Sequence, residues 1–170
     1  SFTEFERVYE KSIPNKIRKI EEKFYFQGFN RSNGKAGTRN YIGLISTVNC
    51  SATVVKKIAD KINNSKEIKK YNNIDGVVCL KHSSGCGMNT SGFGMQVFNQ
   101  TIEGFKNHPN FSKVFVVGLG CECAQISLYE DDNDQIIYLN IQDEGGTKKI
   151  IENVSSRIFE TLPDINKDKR

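Results

Sequence analysis

No stretch of this 170-residue chain approaches the roughly 20 consecutive apolar residues that a membrane-spanning helix needs. No signal-peptide pattern opens it either, so no membrane partner is expected. Cysteine is sparse: five residues, an odd number, with no CxxC pair of the zinc-site kind. That pattern argues against a disulfide framework and for a reducing, cytoplasmic setting. Positive charge exceeds negative by only four, with 24 Lys plus Arg against 20 Asp plus Glu. The excess sits in KSIPNKIRKIEEK, KKIADKINNSKEIKK and NKDKR, as solvated helix faces and tails do. No basic stripe interleaved with aromatics is present, and a nucleic-acid partner is not expected. The full GxGxxG of a dinucleotide-binding turn is also missing; GLG at 118–120 is only a fragment of it.

What is present is one globular domain's worth of apolar sequence, 37% hydrophobic and 26% charged. A chain of this size buries about two-thirds of its unfolded surface and needs no covalent staples. Residues 1–27 read as a helical lead-in and linker, 28–163 as a single α/β domain, and 164–170 as a charged tail. Within 28–40, GFNRSNGKAGTRN reads as an ordered loop or a linker. YIGLIST (41–47) has the apolar, β-forming run of a strand buried on both faces. It is followed by Ser51 as a helix cap and by Val54, Val55, Ile58, Ala59 and Ile62 on one helical stripe. The alternation then recurs. IDGVVCL (74–80), KVFVVGL (113–119) and QIIYLNI (135–141) read as strands, and 93–105 and 147–162 as helices. A β-then-α repeat of this spacing implies right-handed crossovers and a mostly parallel sheet of at least four strands. The expected fold is a three-layer α/β/α sandwich of flavodoxin- or Rossmann-like type.

In such folds ligands bind beyond the carboxyl ends of the strands. Four segments converge there: NCSAT, KHSSGCGMNTSG, GCECAQ and QDEGG. The opposite connectors, NNSKEIKKYNN and KNHPNFS, are ordinary charged turns, and His108 in the second is expected at the surface. Cys50, Cys86 and Cys121 follow three different strands among Gly, Ser and Asn rather than apolar neighbours. Three thiolates at one edge suit iron, either as Fe2+ or in an iron–sulfur cluster. The other reading makes each a small buried hydrophobe, which fits Cys79 inside its strand; Cys123 is ambiguous. His82 is either a structural histidine or a group that moves a proton or binds a metal. The glycines of SSGCG, with Ser84 and Gly85, let backbone N–H groups approach an anion.

Together, GFNRSNGKAGTRNYIGLISTVNCSATV, KHSSGCGM, HPNFSKVFVVGLGCE and IQDEGGT resemble the family of altronate and galactarate dehydratases, which includes the large subunit of sulfolactate sulfo-lyase. The resemblance covers about residues 26–155 and runs in order. It implies an iron-using hydro-lyase that takes water from a 2,3-dihydroxy sugar acid to give a 2-keto-3-deoxy acid. It also implies a second domain of a longer enzyme, with the remaining domains and further copies of the chain as partners in a homo-oligomer. Such chemistry needs a cationic fork for the substrate carboxylate. Arg39 in GTRN, with Thr38 and Asn40 beside it, is the candidate, against a purely structural pair that anchors the linker. Ser51 and Thr53 at a helix start are candidates for substrate oxygens, although capping alone explains Ser51. His82 and Glu122 are the candidate acid–base groups, and Asp143 and Glu144 candidate bases or ligands, with Glu144 facing the substrate. As helix-start acids they also have an ordinary reading. The alternative function is a non-catalytic α/β module that binds an anion or mediates subunit contacts.

Overall fold

The computed structural model describes residues 22–170. The helical lead-in expected over 1–27 therefore lies outside the described residues as far as residue 21, and residues 22–28 form neither helix nor strand. Phe29–Asn30 (β1) and Ala36–Gly37 (β2) pair antiparallel. The turn between them is closed by Arg31 N–H to Lys35 O (2.9 Å) and Gly34 N–H to Arg31 O (3.0 Å). Gly34 has φ +77°, a conformation that favours glycine. Strands of two residues carry no readable alternation, which is why this hairpin looks like a loop in the sequence.

The main elements are Tyr41–Ser46 (β3), Asn49–Asn63 (α1), Gly76–Leu80 (β4), Phe93–Lys106 (α2), Phe111–Gly118 (β5), Ile136–Asn140 (β6) and Thr147–Ile165 (α3). Strands β4, β3, β5 and β6 lie side by side in that order and pair parallel throughout. Numbered within the sheet this is 2-1-3-4, the flavodoxin-type order rather than the Rossmann order. The three layers follow from alternating side chains. On one face Ile42, Leu44, Phe115, Val117 and Leu139 pack against α1 and α3. On the other, Ile45, Val114, Val116 and Ile136 pack against α2 and the short 3-10 turn at Ile126–Leu128.

The expected α1 stripe is the one that is buried, with Val55, Ile58 and Ile62 fully inaccessible. Truncating Ile58 to Ala there costs about 2–5 kcal/mol in lost transfer energy and cavity. Helix α3 runs past the expected end at 162, through Pro163 to Ile165. A proline in the last turn removes one hydrogen bond, and burial of Leu162 and Ile165 holds the turn in place. No helix among the described residues is long and apolar enough to cross a membrane.

The amino edge of the sheet is a closed hydrogen-bonded knot. Buried Arg31 donates from Nε to Pro109 O (2.7 Å), from Nη1 to Asp168 (3.0 Å), and from Nη2 to Arg39 O and Asn40 Oδ1. Asn40, fully buried, donates in turn to Asn73 O and Ile165 O. Residues 164–170, expected as a charged tail, are thus partly helix and partly held by Arg31, with Asn73 also donating to Asn166 O and Asp168 O.

Candidate functional site

At the carboxyl edge, β3 and β5 are neighbours whose chains depart to opposite faces of the sheet: α1 after β3, the Ile126–Leu128 turn after β5. This is the switch point, where open parallel sheets leave a crevice for ligands. Here the protein fills it. The Glu122 carboxylate, 4% exposed, accepts hydrogen bonds from Thr47 Oγ1 (2.8 Å), Leu119 N–H (3.1 Å) and Gly120 N–H (2.6 Å). The carboxylate also explains Gly118, where a Cβ would lie 2.3 Å from Glu122 Oε1. Glu122 therefore clamps the loops after β3 and β5 together, and each of its oxygens is engaged.

The loop over 81–92 is seated against the same turn. A Cβ on Gly85 would come within 2.4 Å of Thr47 O, and the residue has φ +93°. Asn49 N–H donates to Ser84 O (2.8 Å). His82 bridges loop and strand: Nδ1 accepts Ser84 N–H (3.1 Å), so the proton on Nε2 donates to Ser46 O (2.8 Å). Its ring stands edge-on to Phe98 at 4.9 Å. In this arrangement both ring nitrogens are spent on backbone. Both candidate acid–base residues thus lie at the predicted edge, acting there as fasteners.

Ser51 does not cap α1. The helix begins at Asn49 after Val48, and the buried Ser51 hydroxyl donates to Val117 O (2.8 Å), stitching α1 to β5. Thr53 is exposed and lines an open cleft with Asn49, Lys56, Lys81 and His82. Glu144 accepts from Asn153 Nδ2 on α3 and borders a second cleft with Asp143, Asn140 and Glu130.

Thr38, Arg39 and Asn40 are not part of this edge. In a parallel sheet residues that precede a strand lie at its amino end, and these three precede β3. Arg39 pairs with Asp75 (3.1 Å) on the exposed surface, the backbone of Thr38 and Arg39 donates to Asn110 Oδ1, and Asn40 belongs to the knot. The structural, linker-anchoring reading of Arg39 is the one the geometry supports.

Cys50, in the first turn of α1, and Cys86 and Cys121, on carboxyl-edge loops, are all exposed, while Cys79 and Cys123 are half-buried. Among the described residues no three His, Cys, Asp or Glu side chains are grouped so as to hold a metal ion. The thiols are soft donors of the right chemistry, but as a set they do not fit iron within this chain. Two residues at the edge carried no assignment in the sequence: Asn49 and Lys81. Lys81 directly follows β4 and opens the KHSSGCG segment, a cation at a strand's carboxyl end.

A parallel α/β sandwich with polar, glycine-rich loops gathered at one edge belongs to the broad class that handles small molecules there. The particular family follows from comparison: the chain belongs to the D-galactarate dehydratase/altronate hydrolase family, whose second domain matches residues 28–166. Altronate dehydratase of Bacillus subtilis (strain 168) is 35% identical over 103 residues, 60% of this chain and 20% of the relative. Altronate dehydratase of Escherichia coli (strain K12) is 31% identical over 107 residues, 62% of this chain and 20% of the relative. Galactarate dehydratase (L-threo-forming) of Escherichia coli (strain K12) is 33% identical over 169 residues, 93% of this chain and 32% of the relative. The chain thus spans between a fifth and a third of the length of these relatives.

Proposed function

We propose that this chain is the domain of a sugar-acid hydro-lyase that helps hold an altronate- or galactarate-type substrate at the carboxyl edge of its sheet. Family membership carries the reading, and the convergence of the polar loops at one edge supports it. The reaction breaks the C–H bond next to the carboxylate and gives that proton to a base. The C–O bond on the next carbon breaks, hydroxide leaves and is protonated to water, and the enol rearranges to the 2-keto-3-deoxy acid.

The chain's own residues suit binding better than proton transfer. The first turn of α1 has no acidic residue, and its amino end, with Thr53 and Lys81 beside it, favours a carboxylate. His82 and Glu122, with their polar atoms engaged, hold the loops that shape the cleft.

The test is Lys81→Met in the complete enzyme. The expected result is a rise in KM of roughly tenfold or more, the worth of a charge-assisted hydrogen bond, with kcat nearly unchanged. An unchanged KM removes the carboxylate from this cleft. The engagement of His82 and Glu122 favours a second reading, a non-catalytic module whose partner domains perform the chemistry. Under it, His82→Gln and Glu122→Gln lower the melting temperature but leave kcat intact in the enzyme that remains folded.

A further inference from the structure

The three helices differ in what they show to solvent. Helix α1 carries Lys56, Lys57, Asp60 and Lys61 on its outer face, and α3 carries Lys148, Lys149, Glu152, Arg157, Glu160 and Asp164. Helix α2, FGMQVFNQTIEGFK, has two charges in 14 residues, and both are engaged. Lys106 is buried and held by Glu103, Asp131 and Tyr129 O, while Glu103 also accepts from Asn107. The helix buries only Met95, Ile102 and Lys106, and leaves Phe93 79%, Val97 44% and Phe105 41% exposed. With Thr101, these three fall at four-residue spacing, as one stripe. A surface helix ordinarily carries charge on its outer side; this one exposes Phe93, Val97 and Phe105 there among uncharged Gln96, Gln100 and Thr101.

The stripe runs on to the edge of the sheet. Strand β4, GVVCL, is outermost and uncharged. The Asn63 amide bonds both the N–H and the carbonyl of Val77 (2.8 Å each), imitating a neighbouring strand over the amino half. The carboxyl half, Cys79 and Leu80, instead borders a groove with Thr101, Ile102 and Phe105, which Lys81 and His82 also line. An uncharged open edge is normally covered.

We infer that the outer face of α2, together with the carboxyl half of the β4 edge, is the docking surface for a flanking domain of the same polypeptide. Area decides between this occupant and a second copy. A 14-residue helix is about 21 Å long and about 10 Å wide, so its face covers roughly 200 Å², and about 7 Å of β4 edge adds roughly 70 Å²; the two together lie far below the about 800 Å² per partner of a stable interface. Two copies meeting through this surface alone would not stay together. A tethered domain needs much less area, because its effective concentration is in the millimolar range. The relatives are three to five times longer than their matched segments, as coverage of 32% and 20% requires, so such domains exist in this family. The docked surface is apolar and uncharged opposite Val97, since α2 offers no free charge to pair. The inference rests on family membership and not on the identity of the substrate.

Two measurements test it. In hydroxyl-radical footprinting, Phe93 and Phe105 should be oxidised severalfold more slowly in the complete enzyme than in the 170-residue chain. Val97→Asp should lower the melting temperature of the complete enzyme by several degrees and leave that of the 170-residue chain unchanged. Equal oxidation rates overturn the inference. So does an equal loss of melting temperature in both, or a dimer of the 170-residue chain that Val97→Asp dissociates, because either puts the occupant inside this chain. Should the variant of the complete enzyme fail to fold, the footprint on the unmutated protein decides alone.

Discussion

At the amino edge of the sheet, Arg31 and Asp168 bond across 137 positions of sequence, and Asn40, Asn73 and Asp75 join them in one network around the buried Arg31 and Asn40. At the carboxyl edge, Cys50 stands exposed in the first turn of α1, and Ser84, Cys86 and Cys121 stand exposed on loops in which Gly85, Gly87 and Gly120 have positive φ. The amino edge spends its polar groups on one another and the carboxyl edge offers several to solvent. One end closes the domain, and the other leaves groups free for a ligand. The clamps at the carboxyl edge, His82 and Glu122, act between these extremes: they fix loop positions without occupying the outer surface.

The largest effect that would break this comparison is expected at Asn40. Asn40→Ala removes one of the four acceptors of the buried Arg31 guanidinium, leaving Pro109 O, Asp168 and Arg39 O, and removes the donor to Asn73 O and Ile165 O. Unsatisfied buried groups cost about 1–3 kcal/mol each, more when charged, so a loss of roughly 3–4 kcal/mol is expected. Thermal melting should fall by roughly 10 °C in a chain of this size. A loss below about 1 kcal/mol would show that the amino edge is not where stability is concentrated.

A smaller effect should sharpen the role of the switch point. Glu122→Gln turns an NH2 group toward donors that now meet carboxylate oxygen, setting it against Leu119 N–H, Gly120 N–H or Thr47 Oγ1. A cost of about 1–3 kcal/mol is expected, whereas Cys121→Ser, at the exposed neighbour, should leave the melting temperature unchanged. Equal behaviour of the two variants in a denaturant titration would mean that Glu122 does not clamp the loops.

Much of the fold could be read because its signals are periodic. The Val54, Val55, Ile58, Ala59, Ile62 stripe and the four apolar runs give both element type and parallel direction, and direction fixes which loops share an edge. That same logic puts Arg39 at the wrong end for a carboxyl-edge site, since it precedes β3; the family resemblance, not the topology, drew it into the candidate set. Two things could not be read. Arg31 and Asn40 lie in a polar, glycine-rich segment whose bonds run to residues up to 137 positions away, and no local pattern encodes such a partner. His82 and Glu122 could be recognised as titratable groups at the ligand edge. That their nitrogens and oxygens are already engaged depends on the approach of Ser46, Ser84, Thr47 and Leu119.

The smallest expected effect belongs to Arg39, and it separates the two edges most directly. Its side chain is 57% exposed, and its one ionic partner among the described residues is Asp75, 3.1 Å from Nη1. Exposed pairs of this kind contribute about 0–1 kcal/mol, because water screens the attraction and ordering the long side chain opposes it. Asp75 keeps its bond from Asn40 N–H (2.6 Å) whatever happens to Arg39. Arg39→Lys retains the charge and gives up only fork geometry, so the melting temperature should shift by no more than about 1–2 °C. Turnover and KM of the complete enzyme should not change, because no carboxyl-edge loop reaches this end of the sheet. A marked loss of kcat/KM with the fold intact would return Arg39 to the substrate, delivered there by a surface from another domain. In that event the amino edge would have two functions, and the division between a closing end and a binding end would fail.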